Sequence, residues 1–456
     1  MPANHAPNKT QSLPQSLTQT STRERLWLLS FVVLPYASYL GLVIMLWPYL
    51  TAFKQRGRHI WRLCRSMGFG WLTLGLLISS SMAVNRGESF LQLVNFLPFF
   101  LLVGVLGTEP TAVGDIEPHE NHSHNGHSHR LFGKLEIAAQ VLLLSAIPFM
   151  AVAFLQYVIK QLAIAQSSLI RFLPISLLTS LQPYENRVRV QFGNPNVLCA
   201  YLVILLGLGL GLAIQGLNEK YRPKLYWMQI ASLGLCICAI FASGSRNGLV
   251  ATLVLIAIAL YTARTHRWIL FLGLAVSGIL VATAISLGFG ERAMSLALFT
   301  QDARIEIWQQ SLALIQQRPI LGWGFTGFRS QYVAYSIQHY AKLYHAHNIW
   351  LFLASEAGVP VMLGFCFIVG KIYYSGVRAL GQSAITERDR SILLCYLLAF
   401  TGCMLYGFFD ILLHDSRINT PAWAVLAAIY SMSRIALNQP KSDPKDIQHD
   451  KAKPAL

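Results

Sequence analysis

The residues with the most chemical capacity in this chain of 456 residues lie together in Tyr344-His345-Ala346-His347-Asn348-Ile349-Trp350-Leu351, where a long polar stretch gives way to an apolar run. Imidazole titrates near neutrality and can accept or release a proton, while Asn supplies both a donor and an acceptor. A lone histidine at such a boundary reads as a satisfied interfacial residue. Two histidines with an Asn, facing a loop rich in arginine, favour proton transfer. Glu356 follows inside the same apolar run. Ionisable groups at that depth are costly and face a cavity or a partner, but the nine residues from His347 cover about two and a half helical turns, so the two are not expected to pair.

Upstream, Asp302-Ala303-Arg304-Ile305-Glu306-Ile307-Trp308 opens an amphipathic helix that Asp302 can cap and Pro319 stops. Arg304, Trp308 and Ser311 or Leu312 fall on one side of it at helical spacing. Pro319-Ile320-Leu321-Gly322-Trp323-Gly324-Phe325-Thr326-Gly327-Phe328 then has the glycines and aromatics of a tight turn at a bilayer interface, where it can act as a lid. Earlier, Arg187-Val188-Arg189-Val190-Gln191-Phe192-Gly193-Asn194-Pro195-Asn196 runs into an apolar segment, and by itself reads also as a Pro-initiated helix start.

The elements that position these groups are membrane helices. Hydrophobic residues make up 54% of the chain and charged ones only 12%, far below the roughly one-quarter charged fraction of soluble domains. Apolar stretches of about twenty residues recur along the whole chain, matching a hydrocarbon core of roughly 30 Å. A net charge of +16 fits Lys and Arg collecting in cytoplasmic loops. Nucleic acid is excluded as a partner, since no basic stripe with interleaved aromatics occurs. Cys64, Cys199, Cys236, Cys238, Cys366, Cys395 and Cys403 lie in or beside apolar runs without a CxxC pair, and read as small core residues. The first 25 residues are polar and lack an apolar core or a cleavage site, so they are expected to be a disordered tail and not a signal peptide.

The pattern predicts an all-α, polytopic transmembrane helical bundle of about eleven spans, near 27–50, 67–84, 90–107, 136–159, 195–215, 225–243, 247–263, 268–289, 348–370, 391–411 and 420–437. Pro35 or Pro48 can split the first. Lys54, Arg56, Arg58, Arg62 and Arg65 share one connection, and Lys220, Arg222, Lys224, Arg264, Arg267, Arg378, Arg388 and Arg390 fall in alternate ones, which makes that side cytoplasmic. The opposite side carries 160–194, the turn Ser243–Asn247, the long loop Glu291–Ala346 and the turn around His414. It holds Arg86, Arg171, Arg187, Arg189, Arg246, Arg292, Arg304, Arg318, Arg329 and Arg417 against Lys160 and Lys342. Long loops cross whatever their charge, but Arg246 sits in a very short turn. Arginine offers phosphate a planar, permanently charged fork that lysine cannot copy.

Taken in order, Phe192-Gly193-Asn194-Pro195-Asn196, Ser243-Gly244-Ser245-Arg246, Arg304 with Trp308, Pro319 to Gly324, and His347-Asn348 followed by Gly358 resemble the O-antigen ligase and O-antigen polymerase superfamily, over roughly 187–365. The chain departs from that pattern at Asn247 and Val361, where many members carry Gly and Gly, Thr or Tyr. The resemblance implies an enzyme that moves a glycan from a polyprenyl diphosphate carrier to a lipid or glycan acceptor at the outer leaflet of a bacterial inner membrane. It implies catalytic roles for His347, Arg304 and Arg246. Arg187, Arg189, Asn196, His345, Asn348 and Trp308 are the expected substrate-binding residues. No cofactor is expected, and no metal, because the outer side lacks closely paired Asp residues of the DxD kind.

The competing class is a transporter of a small anion such as bicarbonate, whose arginines line a path gated by Glu356 or Asp410. Such proteins favour internal repeats and broken helices at the midplane, and no repeat is evident. The tract His119 to His129 is low-complexity and cytoplasmic by this topology, suited to loose metal binding away from the chemistry. The expected organisation is a tail over 1–25, a membrane domain over 26–437 containing a His-rich loop at 108–134 and an external loop at 290–346, and a cytoplasmic tail over 438–456.

Overall fold

The computed structural model describes residues 21–108, 124–164, 187–217, 224–263, 267–286, 303–332, 345–383 and 385–438. Among them the chain is helical, without strands. In order the helices are α1 (Thr22–Val33), α2 (Ser38–Met67), α3 (Phe69–Ser81), α4 (Arg86–Gln92), α5 (Leu97–Gly107), α6 (His124–Ser145), α7 (Ile147–Ile164), α8 (Pro195–Leu217) and α9 (Lys224–Ala242). There follow α10 (Arg246–Thr262), α11 (Arg267–Ser286), α12 (Ala303–Gln317), α13 (Gly327–Tyr332), α14 (Ile349–Glu356), α15 (Val359–Leu380), α16 (Glu387–Gly407) and α17 (Ser416–Asn438).

Among the described residues, six stretches are long and apolar enough to cross a bilayer: Arg86–Gly107, Arg130–Gln161, Pro195–Leu217, Lys224–Ala242, Val359–Leu380 and Glu387–Gly407. Phe69–Ser81, Arg246–Thr262 and Phe271–Thr283 are shorter apolar helices. The chain is an integral membrane protein. The first expected span divides: α1 ends just before Pro35, while α2 continues through Pro48 and on to Met67. The basic stretch from Lys54 to Arg65, expected as a loop, is thus helix with a kink at Arg56. The start of α1 lies inside the stretch expected to be disordered, because Ser21 and Glu24 form a capping box, with Glu24 N donating to Ser21 Oγ at 3.3 Å. The second half of the histidine tract likewise enters α6 from His124, and Asp302 and Tyr344 lie outside the described residues.

The tightest pairing in the bundle is α8 against α16. Gly207 and Gly211, one turn apart on α8, face Ala399 and Cys395, and a Cβ on either glycine would lie within 2.4 Å of the α16 backbone. Small residues four apart let two membrane helices approach this closely and gain dispersion contacts. Gly402 of α16 meets Val203 in the same way. At one end of this pair Glu136 of α6 accepts from Arg388 Nε at 3.0 Å, from Arg388 Nη2 at 2.7 Å and from Gln215 Nε2 at 2.8 Å. The other end gathers the starts of α8, α10, α14 and α17 and the end of α16, and holds the chemically capable residues.

Candidate active site

At that end the sequence Ser243-Gly244-Ser245-Arg246 turns the chain from α9 into α10. Gly244 takes φ +60, and Ser245 caps α10 by accepting from Gly248 N at 3.4 Å, so Arg246 is the first residue of the helix. Tyr406, near the end of α16, donates its hydroxyl to the Asn196 carbonyl at 2.9 Å and lies 3.1 Å from Ser245 Oγ. A phenol has one proton, so Ser245 donates to Tyr406. The glycine-mediated approach of α8 and α16 brings these groups together. Arg187 braces the same turn, with Nε donating to the Ser243 carbonyl at 3.0 Å and Nη2 to Asn196 Oδ1 at 2.8 Å.

The long loop reaches this turn through α12. Its inner face is Arg304, Ile307, Trp308, Ser311 and Leu314, with Leu312 turned outward. Arg304 donates to the side-chain oxygen of Asn247; with that amide turned so that its oxygen faces the guanidinium, Nη2 and Nη1 donate at 3.1 and 3.2 Å. The departure at Asn247 therefore links the two arginine-bearing segments. Trp308 packs on Phe409 with ring centroids 6.4 Å apart, beside Asp410.

His347 has φ +47, a left-handed conformation uncommon outside glycine and often retained at functional positions. Its Nδ1 lies 3.2 Å from Asp410 Oδ1, just past the end of α16. Asn348 holds this arrangement: Oδ1 caps α14 by accepting from Trp350 N at 2.9 Å and Leu351 N at 3.0 Å, while Nδ2 donates to the Phe408 carbonyl at 3.0 Å. The His345 ring lies 4.3 Å from that of His347 and stacks at 5.8 Å on His414. Burial, reinforced by the neighbouring His347, pushes the His345 imidazole down to about 4, so it is neutral at pH 7. Burial alone would raise the Asp410 carboxyl, but the hydrogen bond and charge of His347 outweigh it and hold the group below its usual range. An ionised carboxylate can only accept, so this hydrogen bond places a proton on His347 Nδ1.

Glu356 is bound by backbone of the long loop. Its carboxylate accepts from Thr326 N at 2.5 Å and Phe328 N at 3.0 Å, at the start of α13, and its carbonyl accepts from Gly324 N at 2.8 Å and Ser79 Oγ at 3.0 Å. Gly322 (φ +64) and Gly358 (φ +93) permit the loop to lie against the α14–α15 junction, where Cβ atoms would meet carbonyl oxygens at 2.3 and 2.0 Å. Glu356 thus pins the Pro319–Phe328 loop.

The structure therefore unites His345, His347, Asn348, Arg304, Trp308, Arg246, Asn196 and Arg187 at one end of the bundle. Arg189 stands at the start of a 3₁₀ turn over Val190–Phe192. Among the outer arginines, Arg417 is committed to the framework, paired with Asp415 at 2.5 Å, donating to the Gln191 and Phe192 carbonyls and lying over the Phe192 ring. Tyr406 escaped the sequence reading, and Asp410 entered it only as a gate. An acidic residue ending an apolar run on the same side as the histidines was the available signal.

Residues 231–366 match the protein family described as O-Antigen ligase. The match includes Arg246, Arg304, Trp308, His345, His347 and Asn348, and leaves out Arg187, Arg189, Asn196 and Asp410. No curated protein matches the chain. With the helical membrane bundle and the ordered motifs already in place, the match over residues 231–366 supports the resemblance to the O-antigen ligase superfamily.

Proposed function

We propose that this protein transfers a glycan from a polyprenyl diphosphate carrier to a lipid or glycan acceptor on the periplasmic side of a bacterial inner membrane, without a metal. The acceptor hydroxyl oxygen attacks the anomeric carbon of the glycan, and the bond from that carbon to the diphosphate oxygen breaks. The hydroxyl proton passes to His347 Nε2, and the leaving electron pair goes to the diphosphate. Arg304 and Arg246 stabilise the charge developing there by preorganised, charge-assisted hydrogen bonds. Asn247 positions Arg304, and Asp410 orients His347 and stabilises its protonated form. His345, Asn348, Trp308 and Asn196 line the site, Arg187 holds its floor, and Arg189 extends it toward the carrier.

The observation that carries this reading is the His347–Asp410 pair, 3.2 Å apart, at the same end of the bundle as the capped turn of Arg246 and the Arg304–Asn247 contact. Transport has less support, because Glu356 accepts from loop backbone and Asp410 is paired with His347. A strain lacking the gene tests the proposal. It should accumulate carrier-linked glycan and lose the transferred product, and the wild-type gene but not a His347→Ala version should restore it. Unchanged surface glycans in the deletion strain would refute the proposal.

A further inference from the structure

The His347–Asp410 pair has a third potential ligand beside it. One ligand atom each from His345, His347 and Asp410 lies within 4.8 Å of the other two. Zinc bonds of about 2.0–2.1 Å in tetrahedral geometry place neighbouring ligand atoms roughly 3.3 Å apart. The separation of His347 Nδ1 from Asp410 Oδ1, 3.2 Å, already matches such an edge, and the His345 ligand atom lies within 4.8 Å of both. His345 Nδ1 is buried and has no hydrogen-bond partner among the described residues. Two imidazoles and one carboxylate suit zinc; magnesium and calcium prefer sites made of oxygen ligands.

We propose that His345, His347 and Asp410 form a zinc site, and that zinc seated there inhibits the protein by occupying the imidazole and carboxylate needed for proton transfer. The binding stands on the geometry alone; the inhibition rests on the reading of His347 as the base. Three protein ligands leave a fourth position for water. The metal is then an exchangeable inhibitor from the aqueous side and no part of the transfer step.

The full-length protein, with His119, His122, His124, His127 and His129 changed to Asn so that the tract does not bind metal, is titrated with Zn²⁺ in detergent and its bound zinc counted after dialysis. One zinc per chain is expected, with no corresponding uptake of Mg²⁺. His345→Ala and the near-isosteric Asp410→Asn should each weaken binding by at least about tenfold, while eluting as the same monodisperse species. Transfer should fall over the zinc range in which the site fills and return with EDTA. Unchanged zinc affinity in the folded Asp410→Asn protein would overturn the site, and a rise in transfer with zinc would overturn the inhibition. Zinc bound through these residues in a protein that transfers no glycan would uphold the site and refute the transferase reading instead.

Discussion

Replacing Asp410 with Asn preserves shape and removes one charge, which isolates its action on His347. The 3.2 Å contact between His347 Nδ1 and Asp410 Oδ1 becomes charge-assisted as the imidazole takes the acceptor's proton. Hydrogen bonds to charged groups contribute about 1.5–3 kcal/mol. Lost only in the transition state, that amount lowers kcat by about 10- to 150-fold at 1.36 kcal/mol per tenfold. The loss is a lower bound, because an amide NH₂ turned toward Nδ1 also favours the tautomer with its proton on Nε2, where the base is needed. The KM for the carrier should change little, since Asp410 faces the imidazole and not the arginines. The assay is single-turnover transfer from a purified carrier-linked glycan. A kcat within threefold of wild type in a folded Asp410→Asn protein would refute the orienting role.

Asn247→Gly should reduce turnover and weaken carrier binding by removing one hydrogen-bond partner of Arg304, with a loss of about tenfold expected for a hydrogen bond to a charged group; no change in either constant would show that Asn247 does not position Arg304. Stability should fall with acidity in a defined window. The unfolded chain protonates His345 below about 6.5 whereas the folded protein resists until about 4, so stability is lost as pH drops through that interval. Thermal unfolding of His345→Gln should show a shallower pH slope there, and an identical slope would remove His345 as its cause. Cysteines introduced at Ser330 and Ser416 should react with an impermeant reagent from outside the inner membrane and one at Ser383 should not, and equal labelling of all three would contradict the orientation.

The class of fold was legible because apolar length and charge punctuation are local properties, set by the thickness of the bilayer. The His345–Asn348 motif was legible for the same reason, since residues close in sequence share a turn. The partners were not. His347 and Asp410 are 63 residues apart, and Arg304 and Asn247 are 57 apart. Their meeting depends on how α8, α10, α12 and α16 pack, which periodicity does not specify. Tyr406 is an aromatic residue near the end of a span, indistinguishable in sequence from an interfacial belt residue, and only its hydrogen bonds to Ser245 and Asn196 show what it joins. Glu356 stood out as an ionisable group in an apolar run. That its partners would be backbone N–H groups of a loop some thirty residues upstream follows from the left-handed glycines Gly322 and Gly358, whose close approach is a tertiary fact. The outer arginines divide in the same way: Arg417 resembles Arg246 in the sequence, yet it is paired with Asp415.

The most direct test is transfer in vitro by His347→Ala, from a purified polyprenyl diphosphate glycan to a defined acceptor, with and without EDTA. The substitution lies at the mouth of the bundle, so the protein should remain folded and inserted. Turnover should fall by about a hundredfold to ten-thousandfold, as for loss of a general base, with carrier binding largely retained, and the wild type should be indifferent to EDTA. Full activity in His347→Ala would contradict the mechanism, and wild-type activity that requires added metal would contradict the arginine account of the leaving group.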